Sequence, residues 1–309
     1  MINKFFKRIR GFAINQNFVP WFIRKNHLSF FWNLEAKFNL VWKKTITSGK
    51  TGFTNKCTFL IPHKNCTQYL NMCIDSIYKK CTNFKYEILI CDDFSTYNEF
   101  SRIKNIPADM KIYRFLTPKG HPFALQWLFY RAHSEYVVIL DQDAIIMTKH
   151  LEVLFDRFNM NSKLLVLGML DPRTEKQDKK MLHPSFMLIN KKRCDSLLKN
   201  PLFFDDKFKT SYKNVCNEKY YSLTLKALAI DSNSVEYLKT IKTKYGHGVF
   251  GYLDNYKEPI VYHQWYSGRI YNMDDNAKID NEFTVKDIKA TSQMFIDDYY
   301  NNSIKIPKK

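Results

Sequence analysis

One segment constrains this chain more than any other: Tyr136-Val137-Val138-Ile139-Leu140-Asp141-Gln142-Asp143, an apolar run that stops abruptly at two carboxylates one residue apart. A short run rich in Val and Ile reads as a buried strand, and near-continuous apolar strands are the habit of parallel sheets covered on both faces by helices. Charges placed where such a strand stops stand at the carboxyl edge of the sheet, where open α/β sheets bind ligands. Two like charges held so close repel each other unless a cation lies between them. Hard oxygen ligands suit Mg²⁺ or Mn²⁺ already carrying a diphosphate. The competing reading is a polar turn, since Asp is common in turns.

Neighbouring segments repeat the pattern. Thr58–Ile61 reads as a strand, Thr67–Lys80 as a helix with Leu70, Ile74 and Ile77 on one face, and Tyr86–Cys91 as a second strand, which makes a βαβ unit. Lys111–Leu116 is expected as a third strand, His121–His133 as a helix, and Tyr136–Leu140 as the strand that delivers Asp141. Four strands with intervening helices predict an α/β fold with a mostly parallel, doubly wound, Rossmann-like sheet. Further on, Thr148–Phe158 and Tyr220–Ala229 read as helices, and Leu164–Leu167 and Ser185–Ile189 as strands.

The first three strands end in Pro62-His63-Lys64-Asn65, Asp92-Asp93-Phe94-Ser95-Thr96 and Thr117-Pro118-Lys119-Gly120. A crevice lined by all four strand ends offers what a nucleotide needs: carboxylates for base or ribose, a cation near phosphate, and a metal bridging the diphosphate.

In order and spacing, the series Phe59–Asn65, Glu87–Thr96, Lys119-Gly120 and Ala132–Asp143 resembles the inverting family 2 glycosyltransferases of the GT-A fold, over residues 57–145. The resemblance implies that Pro62 and Asn65 form the first nucleotide-binding turn, that Asp92 and Asp93 meet base and ribose, and that Asp141 and Asp143 hold donor and metal. Lys119 and Gly120 complete that cofactor-binding edge. A late histidine completes the metal shell in several such enzymes, a place that His263 would fill, and Arg269 could meet a diphosphate bidentately. Phe204-Asp205-Asp206-Lys207-Phe208 resembles the segment that precedes the family's acidic pair. Where that pair is expected the chain has Val215-Cys216-Asn217-Glu218, so Glu218 is the first candidate for the catalytic base, with Asp206 and Asp205 behind it. His183 and Ser185 open a strand similar in place to the acceptor side of the cleft, and Trp265 and Tyr266 are candidates for stacking on a sugar ring or for the core.

The formal charge of +18 is unevenly spread: residues 1–50 carry ten Lys or Arg against the single acid Glu35, together with Phe5, Phe6, Phe12, Trp21, Trp32 and Trp42 among their aromatics. Such an arm either packs as a helix on the main domain or meets an anionic membrane surface. No run is long enough to span a bilayer and no secretory signal is read, so the expected location is cytoplasmic, with the arm peripheral on the inner membrane face. Seven cysteines, an odd count without a Cys-x-x-Cys pair, fit that compartment.

The expected organisation is a basic aromatic arm over 1–50, a nucleotide-sugar-binding half over 55–160, an acceptor-side half over 161–304 and a tail over 305–309. The expected function is a metal-dependent, inverting transfer of a sugar from a nucleoside diphosphate to a glycan or lipid-linked acceptor in bacterial surface-polysaccharide assembly. The cofactor would be Mn²⁺ or Mg²⁺. Three alternatives stand beside it. A nucleotidyltransferase shares a similar sheet but normally shows a Gly-rich loop after the first strand, where this chain has Pro62-His63-Lys64-Asn65. A GT-A-fold protein without activity would explain the displaced Glu218. A nucleic-acid-binding protein would use the charge, yet no nucleic-acid motif is present and no nucleic-acid partner is expected.

Overall fold

The computed structural model describes residues 56–103, 109–176, 178–198, 221–265, 273–278 and 283–307. The amino-terminal arm, Asp205, Asp206, Glu218, Tyr266 and Arg269 lie outside the described residues.

The first half follows the alternation of apolar runs. β1 (Cys57–His63), α1 (Thr67–Lys80), β2 (Tyr86–Asp92), α2 (Tyr97–Ser101), β3 (Met110–Arg114), α3 (His121–Phe129) and β4 (Tyr136–Leu140) succeed one another. β1 pairs in parallel with β2 and with β4, and β2 pairs in parallel with β3. Alternate residues of each strand feed two separate cores. Phe59, Ile61, Ile88, Ile90, Val138 and Leu140 join α1 on one face. Leu60, Leu89, Val137 and Ile139 join Ala124, Leu125 and Leu128 of α3 on the other. Both faces being covered, all five residues of β4 are buried, and the run reads as continuous rather than alternating.

Beyond β4 the sheet becomes mixed. The remaining elements are β5 (Ala144–Ile146), α4 (Val153–Met160), β6 (Val166–Leu170), β7 (Leu182–Asn190), α5 (Lys191–Leu197), α6 (Tyr221–Ile230), β8 (Val235–Lys242), β9 (Gly248–Tyr252), β10 (Val261–Gln264) and α7 (Val285–Tyr300). The strand order is β3-β2-β1-β4-β7-β6-β8-β9-β10-β5. β7 runs antiparallel to β4 and to β6, β6 and β8 are parallel, and β8, β9, β10 and β5 form an antiparallel series. The expected α/β architecture is therefore present as a mixed sheet, parallel within the first four strands and again between β6 and β8, and antiparallel at its other pairings.

The helix α7 ties α1 to β10. A capping box between Thr284 and Asp287 starts α7. Its Phe295 stacks on Tyr262 of β10 at 3.7 Å, and Tyr299 Oη–H donates to Asp75 Oδ2 of α1 at 2.6 Å. No helix among the described residues is long and apolar enough to cross a membrane.

At Gly168 the backbone of β7 leaves no room for a side chain on β6. A Cβ there would stand 2.5 Å from the Phe186 carbonyl oxygen and 3.1 Å from Met187 Cα, both backbone atoms that cannot swing aside. Gly168→Ala is accordingly expected to cost about 2 kcal/mol. The check is a urea titration, in which the midpoint falls while the slope stays constant; an unchanged midpoint would contradict the described strand approach.

Candidate active site

The carboxyl edge of β1 to β4 is held together by side chains that bridge one strand end to the next. After β1 the chain turns through Asn65 and Cys66, two consecutive non-glycine residues in the left-handed region at φ 56 and 51. Such a conformation costs roughly 1–2 kcal/mol per residue and persists only where the surroundings impose it. They do so here. Asn65 N–H donates to Ser95 Oγ at 2.7 Å, and Thr96 N–H donates to Asn65 Oδ1 at 3.1 Å, which fastens the first turn to the second. Phe94, in the second turn, is also left-handed, at φ 66.

Asp92 and Asp93 are both buried, and their carboxylates are engaged within the protein. Asp92 Oδ2 receives Ser95 N–H at 3.3 Å and faces Arg114 Nε at 3.3 Å, while its Oδ1 has no hydrogen-bond partner among the described residues. His63 Nε2 lies 3.8 Å from Oδ1. Because His63 Nδ1–H donates to Gln142 Oε1 at 2.7 Å, the neutral ring turns a bare nitrogen towards Asp92 and gives it no proton. Burial pushes His63 down to about 4, against the pull of the Gln142 bond. Burial likewise pushes Asp92 up to about 6, despite the Ser95 bond and the Arg114 guanidinium. Asp93 accepts the N–H groups of Lys119 and Gly120 at 2.5 and 3.0 Å and so clasps the third strand-end turn. Gly120 takes φ 93 there, a conformation that glycine adopts freely.

Gln142, between the two aspartates, joins the fourth strand end to the first. Its Oε1 also accepts Lys64 N–H at 2.9 Å, and its Nε2 donates to the Lys64 carbonyl at 3.4 Å. The aspartates beside it are met by imidazoles from two directions. From the start of α3, His121 Nε2–H donates to Asp141 Oδ1 at 2.7 Å. From β10, His263 Nε2 lies 3.2 Å from Asp143 Oδ1 and 3.8 Å from Asp141 Oδ2. Strand pairing explains the second approach: β10 runs antiparallel to β5 with His263 opposite Ala144, the residue after Asp143.

Burial alone would raise the Asp141 carboxyl, but His121, then His263 and His183, hold it well below the usual carboxylate range. Burial would lower His263, and Asp143 and Asp141 reverse this, so its imidazole is raised. His183 is lowered to about 3 by burial and by its neighbour His263.

Asp141, Asp143 and His263 each offer one ligand atom, and these atoms lie within 4.8 Å of one another. Two carboxylates and one imidazole form a donor set suited to a divalent cation such as Mn²⁺, and the like charges that the set concentrates are what a cation would balance. His121 is not in that group and bonds Asp141 Oδ1, as outer partners of metal-binding carboxylates commonly do. His263 Nδ1 is buried without a hydrogen-bond partner among the described residues.

Beside the triad, His183 Nδ1 accepts Ser185 N–H at 3.1 Å, and its ring lies 4.4 Å from that of Trp265. Fully buried Asp171, just past β6, receives Arg173 Nη2 at 2.6 Å. Pro62, Asn65, Asp92, Asp93, Lys119, Gly120, Asp141, Asp143 and His263 thus lie on one edge of the sheet. Two residues of this edge were not singled out in the sequence. His121 reads there only as the first residue of a helix, and Gln142 only as a spacer. The available signal was that α3 starts from the same edge on which Asp141 stands.

Comparison with known proteins places the sequence in a family. The model described as glycosyl transferase family 2 matches residues 58–246, well over half of the chain. No curated protein matches the sequence. Among solved structures, the chain is similar to the mannosyltransferase PcManGT from Pyrobaculum calidifontis in complex with GDP-Man and Mn²⁺, with 16% identity over 55% of this chain and 53% of that one, at a TM-score of 0.40. It is similar to the galactosyltransferase LgtC in complex with donor and acceptor sugar analogues, with 14% identity over 59% of this chain and 73% of that one, at 0.44. It is also similar to S. aureus TarS 1–349 in complex with UDP, with 16% identity over 59% and 57%, at 0.44. The chain thus spans about half the length of the mannosyltransferase. The matched residues take in the strands from β1 to β8, and the chain belongs to glycosyl transferase family 2.

Proposed function

We propose that the protein is a hexosyltransferase-like glycosyltransferase, which moves a sugar from a nucleoside diphosphate to a glycan or lipid-linked acceptor with inversion. The observation that carries this reading is the convergence of Asp141, Asp143 and His263 at the end of β4, beside the ends of β1, β2 and β3. In it, Pro62, Asn65, Asp92, Asp93, Lys119 and Gly120 line the nucleotide, and Arg269 meets the diphosphate. Asp141, Asp143 and His263 hold a divalent cation, Mn²⁺ or Mg²⁺. When bound, that cation offsets the charge that grows on the leaving diphosphate.

The acceptor oxygen attacks the anomeric carbon from the face opposite the diphosphate, the bond from that carbon to the diphosphate oxygen breaks, and the acceptor's proton passes to a carboxylate. Glu218 is the proposed base, with Asp206 and Asp205 as its substitutes. His121 keeps Asp141 turned inward, and the Gln142 bonds keep the carboxylate pair in register with the nucleotide turn. The basic, aromatic residues 1–50 suit a cytoplasmic enzyme that works at an anionic membrane surface on surface-polysaccharide intermediates.

Three measurements test the reading. Titration of the full chain with UDP, GDP and their sugars in the presence of Mn²⁺ should raise the melting temperature and show slow donor hydrolysis. No shift with any nucleotide, together with salt-sensitive RNA binding, would reverse it. Asp143→Ala should lower turnover by at least about a hundredfold and remove the Mn²⁺-dependent part of nucleotide binding, with the circular dichroism spectrum unchanged; normal turnover would refute the metal assignment. Gln142→Ala, which strips partners from His63 Nδ1 and Lys64 N, should cost about 2 kcal/mol of stability. It should also weaken Mn²⁺-dependent nucleotide binding, whereas a purely local role would leave binding intact.

A further inference from the structure

β7 runs past the end of its partner. Leu140 pairs with Phe186, and Asp141 N–H donates to the Ser185 carbonyl at 3.1 Å, so the chain from Leu182 to Pro184 continues beyond the point where β4 stops. This overshoot lays His183 alongside the triad. Its ring centroid is 5.4 Å from that of His263 and 4.4 Å from that of Trp265, at an interplanar angle of 40° to the indole. Arg173, fixed to Asp171, sits over the Trp265 ring at 5.7 Å. A wall of two rings therefore stands beside Asp141 and Asp143, on the side of β4 away from β1, β2 and β3.

The hydrogen-bonding character of this wall is set by the backbone. Ser185 N–H occupies the lone pair of His183 Nδ1, so the neutral ring carries its proton on Nε2. Nδ1 is the ring nitrogen nearer the main chain. With it folded back onto the strand, Nε2 projects away from β7, and it has no partner among the described residues. His183 therefore presents one donor and no acceptor, beside the Trp265 indole.

We infer that His183 and Trp265 form the subsite for the transferred sugar, with His183 Nε2–H donating to one of its hydroxyl oxygens. The inference rests on the reading of this edge as a nucleotide-sugar site and adds where the sugar lies. With the nucleoside over the ends of β1 to β3 and the diphosphate at the triad, a sugar bonded to that diphosphate extends to the β7 side, where the wall stands. A site that satisfies a hydroxyl with a fixed donor discriminates against sugars lacking that hydroxyl far better than an apolar pocket could. His183 is thus a specificity-determining residue and takes no proton from the acceptor.

The test compares bare nucleotide with nucleotide sugar on the full chain. Calorimetric titration in the presence of Mn²⁺ would use UDP and GDP, then UDP-glucose, UDP-galactose, UDP-N-acetylglucosamine and GDP-mannose. His183→Phe keeps a ring against Trp265 and removes the donor. It is expected to weaken the nucleotide sugar that the wild-type protein binds by about tenfold, while the matching diphosphate changes by less than about twofold. His183→Gln, which restores an N–H donor, should recover most of the loss, and melting temperatures of both variants check that the fold is kept. Equal weakening of diphosphate and nucleotide sugar, or weakening of neither, would overturn the subsite. If the wild-type protein binds the nucleotide sugars but no variant alters the sugar-dependent part, the donor-site reading stands and this inference alone fails. If it binds no nucleotide at all, the donor-site reading itself fails and takes the subsite with it.

Discussion

Holding Asp141 and Asp143 together on the end of one buried strand is the constraint from which the rest of the site follows. Like charges in a half-dry edge repel strongly, because the screening that water gives is reduced there. The fold answers with imidazoles from two distant elements: His121 at 2.7 Å from Asp141, and His263 at 3.2 Å from Asp143. An imidazole can meet a cation through a neutral ring nitrogen, where an arginine or a lysine in its place would repel one. The intervening Gln142 is neutral, and its three hydrogen bonds fix the loop without adding a third charge.

The same economy appears at the other strand ends. Asp93 is spent on two backbone N–H groups of the Lys119-Gly120 turn, and Asn65 is tied to the second turn in both directions. These bonds hold the left-handed backbone at Asn65 and Cys66. The strain at Asn65, Cys66 and Phe94 thereby falls on this edge of the sheet, where neighbouring turns hold it in place. The edge is a set of turns bonded to one another, each of which would relax if its neighbour were removed.

How much of this was legible in the sequence depended on how local the signal was. β1, β2 and β4 were visible because helices cover both faces of the sheet, which leaves uninterrupted apolar runs; β4 has the same limits in sequence and in structure. The antiparallel half was less visible. β5 is three residues long, and β8 alternates irregularly between buried and exposed positions with lysines at Lys239 and Lys242. His263 was nominated through family likeness, whereas its place beside Asp143 comes from the pairing of β10 with β5. His121 and Gln142 escaped notice because their partners lie 20 and 78 residues away, and no spacing rule reaches that far. Glu218, Asp205, Asp206, Arg269 and the arm over 1–50 lie outside the described residues, so their roles remain those read from sequence.

α7 gives the molecule an order of assembly. Tyr69 and Tyr299 bond across 223 and 224 residues of chain, and Phe295 stacks on the strand that carries His263. Contacts of such long range form late, because closing so large a loop costs entropy before the contact repays it. On the ribosome the carboxylate pair emerges well before its histidine strand and the helix that backs it. A nascent chain halted before β10 would therefore display Asp141 and Asp143 without the His263 imidazole, so the three candidate ligands come together only once β10 has been made.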